Sequence, residues 1–311
     1  MKYLLTLFIF LVFSFSCFSQ KNLVEKLGYG PEDKLLIVHA DDLGVSHAQN
    51  VGSFQSMEQG IVNSASIMVP CPWVSEVAEY YLQNPNVDFG LHLTLTNEWE
   101  LLRWSSVAPT DQVSSILNEQ GYMYPDCLEF GKHALVEEVE IELRAQIERA
   151  LALGLKPTHL DAHMGCLVFS SPEIFEVFLK LGREYKMPCM VSRFFLKFAS
   201  EEFLSKMTDE DVVIERSFTA GPEDYDLGFE KYYNDILQNQ LMPGVQILLI
   251  HPAVANDELK AMARNHHYWG ADWRQQDLDY FTSEKCKRII EEQNIKLITW
   301  GEIQKAVYGE N

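Results

Sequence analysis

The chain has 311 residues and carries 45 acidic against 25 basic side chains, a formal net charge of −20. An apolar share of 47% with 23% charged residues is a globular balance, which excludes a disordered or low-complexity chain. So acidic a surface repels nucleic acid and anionic membranes and leaves neutral or cationic partners.

The chain starts "MKYLLTLFIFLVFSFSCFSQ". One lysine, an apolar stretch and then small residues are the layout of a secretory signal peptide, with cleavage expected after Ser19. The apolar stretch is shorter than the ~20 residues that a membrane span needs. Acylation of Cys17, as in a lipoprotein, ranks second because "SFSC" departs from the usual lipobox. Residues 20–311 then read as a single domain of an exported protein, periplasmic or secreted, with no membrane contact beyond the export signal.

"KLLIVHA" (34–40) is a continuous apolar run, as in a strand buried on both faces. A helix from Ser46 to Gln59 follows, then a strand at 61–69, a helix at 73–83 stopped by Pro85, and a strand at 87–95. Residues 98–134 hold scattered aromatics and two prolines with no period, and read as a long functional loop. The stretch 136–154 is an amphipathic helix with Val136, Val139, Leu143, Ile147 and Ala150 on one face. "PTHLDAH" (157–163) ends a fourth strand, and Ser171-Pro172 starts a helix running to about Lys186. Strands are expected at 188–193, 244–253 and 293–300, with one helix from Gln276 to Glu292 before the last. This alternation predicts a distorted (β/α) barrel of about seven parallel strands.

Barrel enzymes build their sites at the C-terminal ends of the strands. Polar groups stand at those ends here: Asp41 and Asp42 after the first strand, His92 in "GLHLTL", His159, Asp161 and His163 in "THLDAH", and His251 in "LLIHPA". Two imidazoles and a carboxylate are a typical donor set for one divalent ion such as zinc, with positions left open for water and substrate. A second carboxylate beside the first can then act as a general base, which explains why two acids are adjacent.

In order, "HADDLG", "GLHLTL", "THLDAH" and "LLIHPA" resemble the motifs of the YdjC-like carbohydrate deacetylases. That family includes chitooligosaccharide deacetylase and belongs with the NodB-like polysaccharide deacetylases. The resemblance spans about Lys34 to His251 and implies a distorted barrel holding one divalent metal ion, Mg2+ or Zn2+, with a carbohydrate substrate. It implies Asp42, His92 and His163 as metal ligands, Asp41 as the base and His251 as the acid near the leaving amine. His39 stands where relatives often carry Asn, and "MGCLVF" replaces further histidines after His163.

Arg193, at the end of "VSR", is a candidate to steady Asp41, as an arginine does in related deacetylases. Trp99, Trp104 and Trp269, with Trp273, are candidates for stacking on sugar rings. His266 and His267 read as solvated. Cys71, Cys127, Cys166, Cys189 and Cys286 match no zinc spacing and read mostly as buried thiols. The sequence contains no phosphate-loop spacing and no GxSxG elbow. The activity expected is removal of N-acetyl groups from a carbohydrate. The alternatives are hydrolysis of another amide or ester, and sugar binding without catalysis; the paired acids weigh against the last.

Overall fold

The inward and outward faces of one strand set the plan of the molecule. In the computed structural model, which describes residues 20–208 and 210–309, Lys34–Leu43 forms strand β1, buried along almost its whole length. Successive side chains of a strand point to opposite faces. Leu36, Val38 and Ala40 join the large apolar cluster under the surrounding helices. Leu35 and Ile37 point the other way, into a smaller cluster with Val245, Ile247, Ile298 and Trp300. That second cluster plugs the base of the barrel. Further along the same inward face come His39 and Asp41, so the interior turns polar toward the C-terminal ends.

The other strands are β2 Ser64–Ile67, β3 Phe89–Leu93, β4 Leu160–Ala162, β5 Val191–Ser192, β6 Val213–Ile214, β7 Arg216–Thr219, β8 Gly244–Ile250 and β9 Lys296–Leu297. The main sheet runs β4-β3-β2-β1-β8-β7, with β9 beside the start of β1, and every pairing is parallel. β5 pairs with β6, which leads into β7 after a single residue. A lone bridge between Leu160 and Cys189 joins the β4 edge to the β5 side. The sheet is thus curled, all-parallel and wrapped in helices, the distorted (β/α) barrel that the alternation predicted.

Local signals placed most helices where they were expected. Ser46 caps the helix His47–Gln59 and Ser171 caps Pro172–Glu184, each accepting a backbone N–H. Three details differ. The predicted single helix at 276–292 is two, Ala271–Phe281 and Glu284–Glu292, because Ser283 caps a new start. The strands β6 and β7 carry no strong apolar period and were not anticipated. The last strand is only two residues long. The expected leader, residues 1–19, lies outside the described residues, and among those described no helix is long and apolar enough to cross a membrane.

The stretch 98–134 is a packed cover over one side of the barrel rather than loose chain. It contains a turn of 3-10 helix and the helix Cys127–His133, and buries Trp99, Trp104, Val113, Ile116, Met123 and Phe130. Buried Glu142 anchors it, accepting Val107 N and Ala108 N at 2.9 Å each. A disulfide between Cys127 and Cys166 ties it to the segment that follows β4. Cys71, Cys189 and Cys286 are buried and free, as expected of most of the cysteines, while the remaining two are joined across a separation of 39 residues, which no local pattern signals.

Burial raises Glu142 from 4.5 to about 7, against the backbone N–H groups that favour its charged form. Between those values the unfolded chain gives up its proton while the folded chain keeps it, so this group's contribution to stability falls as pH rises. The stability difference between wild type and Glu142→Gln should therefore decline by on the order of 3 kcal/mol from pH 4.5 to 7. Urea unfolding across that range measures it. A flat difference would show that the carboxyl titrates normally.

Candidate functional site

Asp41 and Asp42 would face opposite sides of the sheet if β1 stayed extended. It does not. Asp42 has a left-handed backbone, φ 70°, and the β1–β2 register shifts between Ala40 and Leu43. Such a bulge re-aims a side chain, and the strained geometry is costly for a non-glycine residue. Here it turns Asp42 inward, so both carboxylates serve the barrel mouth. It is the kink that lets the two acids share the site.

Asp42 Oδ1 lies 3.5 Å from both His92 Nε2 and His163 Nδ1. It is buried and lacks a well-formed hydrogen bond. These three donors lie within 4.8 Å of one another. The remaining ring nitrogens are held from behind: His92 Nδ1 bonds Asp161 Oδ1 at 2.6 Å, and His163 Nε2 bonds Glu98 Oε2 at 3.0 Å. Carboxylates in those positions orient an imidazole so that its other nitrogen can face a metal. An orphaned carboxylate oxygen and two aimed imidazoles fit a divalent ion.

The acids and imidazoles of the cluster also offset one another's charge. Burial alone would raise Asp42, but Arg274, bonded to its Oδ2 at 2.8 Å, holds it well below the usual carboxylate range. Burial pulls His163 down, yet Glu98 and Asp42 lift it to about 10. His39 behaves alike, reaching about 9 through Asp161 and Asp41 despite burial.

Asp41 lies beside these groups, 3.8 Å from His251 Nε2. His251 follows β8, and its backbone N–H donates to Asp277 Oδ2 at 2.9 Å. Burial lowers the His251 pKa. His159 lies behind this group, its ring edge-on to His39 at 5.0 Å. It is fully buried, bonds Thr158 and stacks on Trp300 at 4.9 Å. A Cβ on Gly90 would sit 2.3 Å from its ring, so only glycine fits opposite it.

Of the predicted residues, Asp41, Asp42, His92, His163 and His251 are brought together. Arg193 forks onto Glu215, at 2.6 and 2.7 Å, and the guanidinium bonded to Asp42 is that of Arg274. Trp99 and Trp104 are 1% and 3% exposed, Trp104 bonding Thr96 O and Trp99 lying under Arg274. Neither offers a free face, which corrects their reading as sugar platforms. Trp273 is buried too, while Trp269 is 38% exposed. His267 is exposed as expected, but His266 is partly covered by Trp99.

Glu98, Arg274 and Asp277 were missed. A signal existed for two of them. Arg274 and Asp277 fall on the face of Ala271–Phe281 that also carries Trp273, Leu278 and Phe281. Charges on the buried face of a helix call for a partner.

Comparison with known proteins agrees with this frame. The family model described as YdjC-like protein matches residues 35–292. A carbohydrate deacetylase of Thermus thermophilus is 33% identical over 92% of this chain and all of its own length. A chitooligosaccharide deacetylase of Yersinia enterocolitica is 32% identical over 52% of this chain and 60% of its own. A solved structure from Enterococcus faecalis, named for cellobiose-phosphate cleavage, superposes with a TM-score of 0.68 at 22% identity, over 86% of this chain and 98% of that one. It shares the fold. The match of nearly the whole chain to the family model and to the Thermus enzyme places this protein in the YdjC-like family, the family of the carbohydrate deacetylases it resembles.

Proposed function

We propose that the chain is a divalent-metal-dependent hydrolase that removes N-acetyl groups from an amino-sugar carbohydrate. The observation that carries this reading is the orphaned Asp42 Oδ1 facing His92 and His163, with Asp41 and His251 alongside. Asp42, His92 and His163 would hold the ion. Two imidazoles in the set favour a zinc-type ion over Mg2+, which prefers oxygen donors. When bound, the ion supplies a Lewis acid at the acyl oxygen and makes water a better nucleophile.

The chain's own residues handle the protons. Asp41 accepts one from the attacking water as the new C–O bond forms. His251 starts neutral, because burial lowers its pKa. At 3.8 Å from Asp41, it can pass that proton to the departing amine nitrogen. The C–N bond then breaks to give acetate and a free amino sugar. Arg274 stays on Asp42 Oδ2 and leaves Oδ1 as the donor.

The test is metal analysis of the purified protein followed by acetate release from a panel of N-acetylated mono- and oligosaccharides, before and after chelation. The expected result is acetate from at least one sugar, lost on chelation and restored by Zn2+. Metal without acetate from any sugar would turn the reading toward another amide or ester. Full activity after complete metal removal would end it.

A further inference from the structure

We propose that His39 is a positioning residue that fixes the Asp41 carboxylate and ties it, through Asp161, to the metal-ligand candidate His92. The proposal rests on the reading of Asp41 as proton acceptor.

His39 is fully buried on the inward face of β1. Its Nδ1 meets Ser64 Oγ at 2.9 Å. Its Nε2 has Asp161 Oδ2 at 3.0 Å, Ser66 Oγ at 3.0 Å and Asp41 Oδ1 at 3.3 Å. Ionised carboxylate oxygens only accept hydrogen bonds. An unprotonated Nε2 would aim its lone pair at two of them, so Nε2 carries the proton and is the donor. Asp161, also fully buried, uses its other oxygen to accept from His92 Nδ1 at 2.6 Å. His92 Nε2 is then the nitrogen that faces Asp42 Oδ1, at 3.5 Å. One buried line therefore runs Asp41–His39–Asp161–His92 and orients each imidazole.

Asp41 needs that hold. The other side-chain donor near its Oδ1 is Ser66 Oγ, at a long 3.5 Å. Gln49 bonds the Asp41 backbone carbonyl and not its carboxylate. His39 Nε2 lies against Oδ1 at 3.3 Å as an ion-pair contact, and Oδ2 is left toward His251. A carboxylate that loses its anchor can swing by an ångström or more, and a misplacement of that size costs ~10²-fold in rate. Asp161 holds both imidazoles, one on each oxygen.

The test compares His39→Leu with His39→Gln. The glutamine amide can still donate toward Asp41 and Asp161; leucine fills the space and donates nothing. Leucine should lower kcat ~10²-fold with KM and bound metal little changed, and glutamine should recover part of the loss. Melting curves confirm that both variants fold. Imidazole nitrogen NMR on the metal-free wild type should show His39 Nε2 protonated, which is independent of turnover. The proposal falls if the leucine variant keeps wild-type kcat. It also falls if both folded variants lose rate equally, or if Nε2 is unprotonated. A wild type that releases no acetate from any sugar refutes the deacetylase reading and the base role with it, and the NMR arm then reports separately on the buried line itself.

Discussion

Replacing Asp41 by asparagine should lower the rate of acetate release by ~10²–10⁴-fold, the usual cost of losing a general base, while leaving the bound metal in place. Asparagine keeps the size of the side chain and an oxygen that can accept from His39, so the surrounding network stays formed. What it loses is the ability to take a proton from water. The neighbouring Asp42→Asn should behave in the opposite way. Asp42 Oδ1 is the atom that both His92 and His163 face, and its replacement should cost metal affinity directly. Kinetics and metal content measured together on both variants decide the matter. An Asp41→Asn protein that loses its metal, beside an Asp42→Asn protein that keeps it, would mean the two roles are exchanged.

Removing the positive charge at Arg274 should cost more stability than any other single change at the site. Arg274 is buried, and its guanidinium bonds Asp42 Oδ2 at 2.8 Å, Gln49 Oε1 at 2.7 Å and Trp269 O at 2.8 Å. Arg274→Met keeps most of the apolar stem but leaves Asp42 as an unpaired buried carboxylate. Breaking a buried ion pair in this way typically costs ~3–5 kcal/mol. The same carboxylate then becomes a stronger attractor for a cation. Added Zn2+ should therefore restore more stability to the variant than it adds to wild type, since a ligand that binds only the folded state stabilises it by mass action. Urea unfolding with and without the ion reads both effects. An unchanged midpoint without metal would show that the pair contributes nothing. An equal gain in the two proteins would show that Arg274 does not tune the site.

The arrangement also explains why the long stretch 98–134 is packed so firmly. It supplies Glu98, which holds the back of His163, and it carries Cys127, bonded to Cys166 three residues beyond that histidine. Between them, Met164 and Gly165 both have left-handed backbones. The cover is thus joined to the ligand-bearing turn on both sides. A cover bonded to the site in this way positions a ligand as well as shielding it from water.

Much of the frame was legible in the chain itself. Continuous apolar runs alternating with amphipathic stretches determined a parallel sheet wrapped in helices, because a strand buried on both faces has no polar side to show. The same runs placed Asp41, Asp42, His92, His163 and His251 at strand ends, and a barrel necessarily gathers those ends. The chemistry of the donor set, one carboxylate with two imidazoles, follows from residue type alone. Only the tertiary structure decided how those groups face one another. A strand's alternation would have turned Asp42 away, and the left-handed kink that reverses it depends on packing and pairing against β2 rather than on the residue's own preference. Arg274 rather than Arg193 met an acid, Asp42, because the helix carrying it packs against the helix His47–Gln59 that follows β1, a contact more than two hundred residues distant in sequence. Trp99 and Trp104 became core instead of platform, and Cys127 found Cys166, for the same reason. The direction of a side chain is set by backbone dihedrals and long-range packing, and neither is written in the spacing of the residues that carry the chemistry.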